Sequence, residues 1–144
     1  MIYRATEKDI AELAALAVQL WDGHDENEMC CEFAEYIKNG TAQLFIARKD
    51  GAAVGFAQCQ LRRDYVEGTS TSPVGYLEGI FVREEYRDRG IARQLLCECE
   101  KWAKESGCSE FASDCELTNS TSFEFHLAVG FEEANRIICF TKKL

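Results

Sequence analysis

The stretch GYLEGIFVREEYRDRGIARQLL, residues 75–96, decides the fold. Its opening, Gly75 to Val82, is rich in aromatic and β-branched side chains and reads as a strand. From Gly90 onward, Ile91, Leu95, Leu96, Cys99, Trp102 and Ala103 recur at helical spacing, which predicts a helix ended by Gly107. Between strand and helix, Arg83, Arg87, Arg89 and Arg93 fall within eleven residues of a chain whose formal net charge is -9. A short strand, EFASD (110–114), comes next, and then a helix over 120–129 ended by Gly130. Strand–helix–strand order joins parallel strands through a crossover.

Upstream, IYRA (2–5) reads as a strand, and Thr6 caps the helix that follows, with Asp9 in the place of a capping-box Glu or Gln. Ile10, Leu13, Leu16, Ala17 and Leu20 give that helix its apolar face. A second helix spans about 26–38 and stops at Asn39-Gly40. QLFIARKDGAAVGFAQCQL (43–61) is a hairpin turning at Asp50-Gly51. Its second strand is expected to run on through RRDYV, with EGTSTSP (67–73) a loop. The chain is expected to close with a strand pair around 130–132 and 136–142. The order β, α, α, β, β, β, α, β, α, β, β predicts one mixed-sheet α/β (or α+β) domain over residues 1–144. A doubly wound dinucleotide fold does not fit.

Composition excludes several classes. At 47% hydrophobic and 28% charged residues the chain is a folded globular one. A pI near 4.8 argues against a nucleic-acid partner and suits a cationic ligand. No run approaches the roughly 18–20 apolar residues of a membrane span, and MIYRATEKDI has no signal-peptide core. A cytoplasmic protein is therefore expected. Eight cysteines, with no Cys-x-x-Cys pair and only two histidines, predict reduced structural thiols and no metal site.

A helix that starts at a glycine offers an anion its unpaired N–H groups and its positive dipole end. Arg87, Arg89 and Arg93 can add charge for phosphates, whereas in the bland alternative they pair with Glu84, Glu85 and Asp88 on an exposed turn. The spacing is neither that of a P-loop nor that of a Rossmann turn. Glu78 stands in an otherwise apolar strand, where a carboxylate is costly unless hydrated, paired or used. Asp114 ends the neighbouring strand, so both acids can converge on one cleft, and either suits proton acceptance. Trp21 and Tyr65 read as core by residue type alone.

Arg87-Asp88-Arg89-Gly90-Ile91-Ala92 resembles the Q/R-x-x-G-x-G/A acetyl-CoA signature of the GNAT superfamily of N-acetyltransferases. NSTSFEFHLAVGF (119–131) resembles that superfamily's N-x-x-A-x-x-x-Y-x-x-x-G-F: Asn119, Gly130 and Phe131 match, while His126 stands where the tyrosine does. Leu20-Trp21, RRDYVEGTSTSPVGYLEGIFV (62–82), EFASD and ICFTKKL (138–144) are similar to the aminoglycoside 6′-N-acetyltransferases, over essentially the whole chain.

The resemblance implies a GNAT fold: a mixed, mostly antiparallel sheet with a splayed central parallel strand pair, flanked by helices. It also implies direct acetyl transfer from acetyl-CoA to the 6′-amine of an aminoglycoside, hence antibiotic resistance. Backbone groups of Ile80, Phe81 and Val82 would meet the cofactor arm. Arg87 to Arg93, including Asp88, Gly90, Ile91 and Ala92, would hold its pyrophosphate, and Asn119 would join them. Trp21 and Tyr65 would border the aminosugar, and Glu78 and Asp114 would hold and deprotonate the amine. His126, or water, would protonate the leaving thiolate. A homodimer is implied. The alternatives are a GNAT enzyme acting on a polyamine or protein N-terminus, and a non-catalytic acyl-CoA-binding module.

Overall fold

In a computed structural model that describes residues 1–144, the sheet is organised by the turn at Asp50-Gly51. Both residues have positive φ, 52° and 82°, the twist that lets two residues close a hairpin. The sheet runs β1 (Ile2–Arg4), β2 (Ala42–Lys49), β3 (Ala52–Arg62), β4 (Val74–Val82) and β5 (Phe111–Ser113), in that spatial order. The first four strands pair antiparallel, and β4 pairs with β5 in parallel. The parallel pair is the one that the strand–helix–strand order requires.

Alternation along β2 and β3 builds two cores. Leu44, Ile46 and Phe56 face Leu13, Leu16 and Ala17 of α1 (Ile10–Leu20) and Met29 and Phe33 of α2 (Glu26–Asn39). Phe45, Ala47, Ala57 and Cys59 face Leu95, Leu96 and Cys99 of α3 (Ile91–Glu105). Phe33, Phe45 and Phe56 are fully buried, each worth roughly 2–3 kcal/mol of transfer free energy. Asp25 caps α2 by accepting the Glu28 N–H at 2.8 Å, and Gly40 ends it in the left-handed conformation.

The expected capping pair at the entry to α1 is present. The Asp9 carboxylate accepts the Thr6 N–H at 2.9 Å and the Thr6 hydroxyl at 3.0 Å. It also accepts Tyr3 Oη and Arg48 Nη2, and Arg48 binds Glu12 as well. Burial pushes the Asp9 carboxyl up, but the bonds from Thr6, Tyr3 and Arg48 outweigh it, so its pKa lies below the ordinary value. This stabilisation is fully present above about pH 4, the unfolded carboxyl's range, and is lost as pH falls through the lower folded value.

Two expected elements differ. β3 stops at Arg62 and does not continue through RRDYV, because Arg62 pairs with Val74 and β4 begins there, leaving 63–66 no neighbour. The closing strand pair is absent, and residues 131–144 have no regular secondary structure. Residues 130–131, half of that pair, instead close α4 (Ser120–Ala128). Gly130, at φ 102°, donates to Leu127 O at 3.2 Å, and Phe131 donates to His126 O at 3.0 Å. That is a Schellman cap, completed by the Phe131 ring packing on His126.

All eight cysteines are free thiols; Cys59, Cys99 and Cys108 are buried, whereas Cys31, Cys97 and Cys139 are exposed. A hydrogen bond with Cys59, then burial, holds the Cys99 thiol well above its ordinary pKa.

Candidate active site

A bulge in β4 creates the acidic side of the site. Gln58 pairs with Gly79 and Cys59 with Leu77, so Glu78 is the unmatched residue between them. A Cβ on Gly79 would strike the indole of Trp21; glycine there lets the half-buried Trp21 lie across β4 beside Glu78. Trp21 also packs edge-on against Phe56, with ring centroids 5.7 Å apart.

Glu78 is held by Arg62 through contacts of 2.8, 3.1 and 3.2 Å. The Arg62 guanidinium stacks on the Tyr76 ring, 3.4 Å from its centroid, and the Tyr76 hydroxyl donates to Asp114. The two acids thus belong to one chain of contacts, Glu78–Arg62–Tyr76–Asp114. Two carboxylates against one guanidinium leave a net negative site, suited to an ammonium group. Burial, then the Asp114 bond, raises the Tyr76 phenol, which stays a donor. Tyr36 of α2 lies near Glu78; burial, then the Glu32 hydrogen bond, pushes its phenol up to about 12.

The β4–β5 ladder ends at Leu77–Ser113, and on that side no strand lies beside β4 from Glu78 onward, although β3 continues along its other edge. This is the expected splay, and it leaves the backbone groups of Ile80 on the open edge, whereas those of Phe81 face Phe56 of β3. Val82 differs in part, since its carbonyl accepts Arg87 Nε at 2.9 Å and its side chain is buried. Gly90 starts α3 at φ 76°, and a Cβ there would meet only Gln94 Nε2, at 3.9 Å. The helix start therefore has a bare flank, with Ile91 and Ala92 half-buried behind it.

The arginines have separate tasks. Arg87 reaches back to β4, and Arg93 Nη2 donates to Ala128 O of α4 at 2.7 Å. Arg89 lies over Tyr86 and lines a shallow cavity of about 280 Å³ with Met1, Ile2, Arg48 and Lys49, on the β1–β2 flank away from the splay. None pairs with Glu84, Glu85 or Asp88. Asp88 is instead a turn residue with φ 58°.

Asn119 caps α4, its Oδ1 accepting the Ser122 N–H at 3.1 Å. His126 Nδ1 lies 2.6 Å from Ser122 O, which fixes the proton on Nδ1 because a carbonyl only accepts. Nε2 lies 2.8 Å from the Ser113 hydroxyl at the end of β5, which itself donates to Leu77 O at 3.2 Å.

Tyr65 is 77% exposed in the segment after β3, so the core assignment by residue type is corrected there. Arg62, Tyr76 and Ser113 are site neighbours that sequence reasoning missed. Tyr76 was legible, because it lies two residues from Glu78 on an alternating strand. Arg62 read as an ordinary strand-end charge.

The profile of the acetyltransferase (GNAT) family matches residues 9–131. This chain belongs to the GNAT family. Within that family it is 42% identical over 128 residues to an aminoglycoside N(6′)-acetyltransferase type 1 of Salmonella typhimurium, covering 89% of this chain and 88% of the relative. It is 38% identical over 144 residues to the Stenotrophomonas maltophilia protein of the same description, covering 99% and 93%. Among solved structures, the aminoglycoside 6′-N-acetyltransferase of Acinetobacter baumannii superposes with TM-score 0.94 at 38% identity, covering 100% of this chain and 98% of that one. The aminoglycoside N-acetyltransferase AAC(6′)-Iy in complex with a CoA-based bisubstrate analogue gives TM-score 0.95 at 38% identity, with the same coverage. The GNAT fold and a CoA-type ligand fit the open β4 edge and the bare start of α3. No group of three or more metal-capable side chains is brought together, and no helix is long and apolar enough to cross a membrane.

Proposed function

We propose that this protein transfers the acetyl group of acetyl-CoA directly to the 6′-amine of aminoglycoside antibiotics and so confers resistance. The observation that carries this reading is the pairing of opposite environments at one splay. Glu78 and Asp114, joined through Arg62 and Tyr76, lie where the β4–β5 ladder ends, and the backbone leaves β4 for a helix that starts at Gly90, in a chain 42% identical to an aminoglycoside N(6′)-acetyltransferase.

The chemistry follows from what each group can do. An aminoglycoside amine arrives as ammonium and pairs with the carboxylates. Glu78 or Asp114 takes its proton, directly or through water, and frees the lone pair for attack on the thioester. The backbone N–H of Ile80, which points to the open edge, is the donor suited to the thioester oxygen as it gains charge. The start of α3, with Arg87 and Arg93 beside it, suits the pyrophosphate. For the thiolate, His126 or a water molecule serves as the proton donor. Trp21, which lies against β4 at Gly79, and the exposed Tyr65 are the aromatic rings suited to pack on the aminosugar. Eight unpaired thiols suit a reducing, cytoplasmic setting.

A homodimer belongs to the same proposal. Ile137, Ile138, Phe140 and Leu144 are exposed on a stretch with strand-like composition, and a second copy is its proposed cover. Light scattering is expected to give twice the 16.3 kDa chain mass, and Phe140→Asp to give the monomer. A monomeric parent protein would remove the dimer from the account.

Steady-state turnover of acetyl-CoA with kanamycin, spermidine and a peptide amine tests the substrate assignment. The expected ranking by kcat/KM puts kanamycin first by at least about 100-fold. A preference for either of the other amines would overturn the proposal.

A further inference from the structure

Glu78 is poorly fixed by its own backbone. As the extra residue of a bulge it has no partner on β3, and a glutamate side chain carries about 1.5–2 kcal/mol of rotamer entropy. Its oxygens are nonetheless both held. Arg62 presents Nε and Nη2 to Oε1 and Nη2 to Oε2, a planar fork that sets the carboxylate plane as well as its position. The fork is itself set by stacking on Tyr76, which is only 6% exposed and is tied to Asp114 through its hydroxyl. Rigidity therefore passes from a buried ring, through the guanidinium, to a carboxylate that the bulge leaves loose.

We propose that Arg62 is a positioning residue: it aims Glu78 at the acceptor amine and locks it to Asp114 through Tyr76. The proposal rests on the acetyl-transfer reading above. It assigns a task to a cation that otherwise works against a cationic substrate. Arg63, its neighbour in sequence, carries the same charge but makes no ion pair, so long-range charge and local aim are separable.

A misplacement of about 1 Å at a reacting group can lower a rate about 100-fold. Arg62→Gln is therefore expected to lower kcat for an aminoglycoside by about 30–100-fold, with KM changed less than about threefold. Arg62→Lys, which keeps the charge but not the fork, is expected to fall between the parent and Arg62→Gln. Arg63→Gln is expected to leave kcat within about twofold. Because Arg62 and Tyr76 touch, Arg62→Gln combined with Tyr76→Phe is expected to lose less than the product of the single losses.

The side-chain carboxyl carbon of Glu78, followed by NMR in the protein without substrate, reads the same claim without turnover. It is expected to be a single ordered signal in the parent and motionally averaged in Arg62→Gln. An unchanged Glu78 signal overturns the proposal, even where acetyl transfer to a 6′-amine has failed. So do equal losses in Arg62→Gln and Arg63→Gln. A lower KM at unchanged kcat would also overturn it, since Arg62 would then be a plug displaced by the amine.

Discussion

Replacing Glu78 with glutamine is expected to lower kcat/KM for acetyl transfer by about 1000-fold, with acetyl-CoA affinity unchanged. Glutamine keeps the size and one acceptor oxygen, but it cannot take a proton or balance the charge of an ammonium group. The fold should tolerate the change, because Glu78 sits at a bulge and not in a core, and Arg62 is 43% exposed and remains hydrated. Asp114→Asn is the necessary companion. Asp114 accepts the Tyr76 hydroxyl, and asparagine leaves only a neutral amide oxygen for that buried bond, which makes Asp114→Asn the less clean of the two. A large loss for one acid and a small loss for the other names the base. Parent-like activity in both variants would remove the carboxylates from the chemistry.

Gly90→Asp is expected to weaken acetyl-CoA binding by about 30–100-fold, read by calorimetry, while the thermal midpoint changes by only a few degrees. Gly90 has φ 76°, and aspartate is one of the few other residues that visit the left-handed region. A Cβ there meets nothing closer than 3.9 Å, so the protein itself makes room. The cost falls on the ligand, which meets a negative charge and a side chain at the helix start where a pyrophosphate would lie. Gly90→Ala adds the side-chain atom without the charge and should give the smaller loss. Equal affinity in parent and Gly90→Asp would move the phosphate site away from α3.

Most of the fold was legible because its signals are local. Asp50-Gly51, Asn39-Gly40 and the spacing from Ile91 to Ala103 each specify their element within a few residues. The end of β3 was not legible, because a strand lasts only as long as its neighbour, and where β4 begins is a matter of register. The closing strand pair failed for a related reason. Residues 130 and 131 satisfy the carbonyls of α4, a local alternative that strand propensity does not see.

The site divides in the same way. Glu78 was conspicuous as a charge inside an apolar strand, and Gly90 as a glycine between strand and helix. Arg62 could not be found by local reasoning, since its partner lies sixteen residues away across a bulge. The arginines adjoin in sequence, where they read as one phosphate cradle, and in the fold Arg87, Arg89 and Arg93 turn toward β4, the β1–β2 flank and α4. His126 keeps its position in the family pattern, and its ring is bound to Ser113 and Ser122 and packs on Phe131.

The most direct test compares two aminoglycosides that differ only in bearing an amine or a hydroxyl at the 6′ position, each incubated with acetyl-CoA and the protein. Mass spectrometry and NMR of the products report how many acetyl groups are added and where. The account predicts a single acetyl group, on the 6′-nitrogen of the amine, and no turnover of the 6′-hydroxyl compound. Acetylation of the 6′-hydroxyl compound at comparable kcat/KM, or of another amine in both, would contradict it.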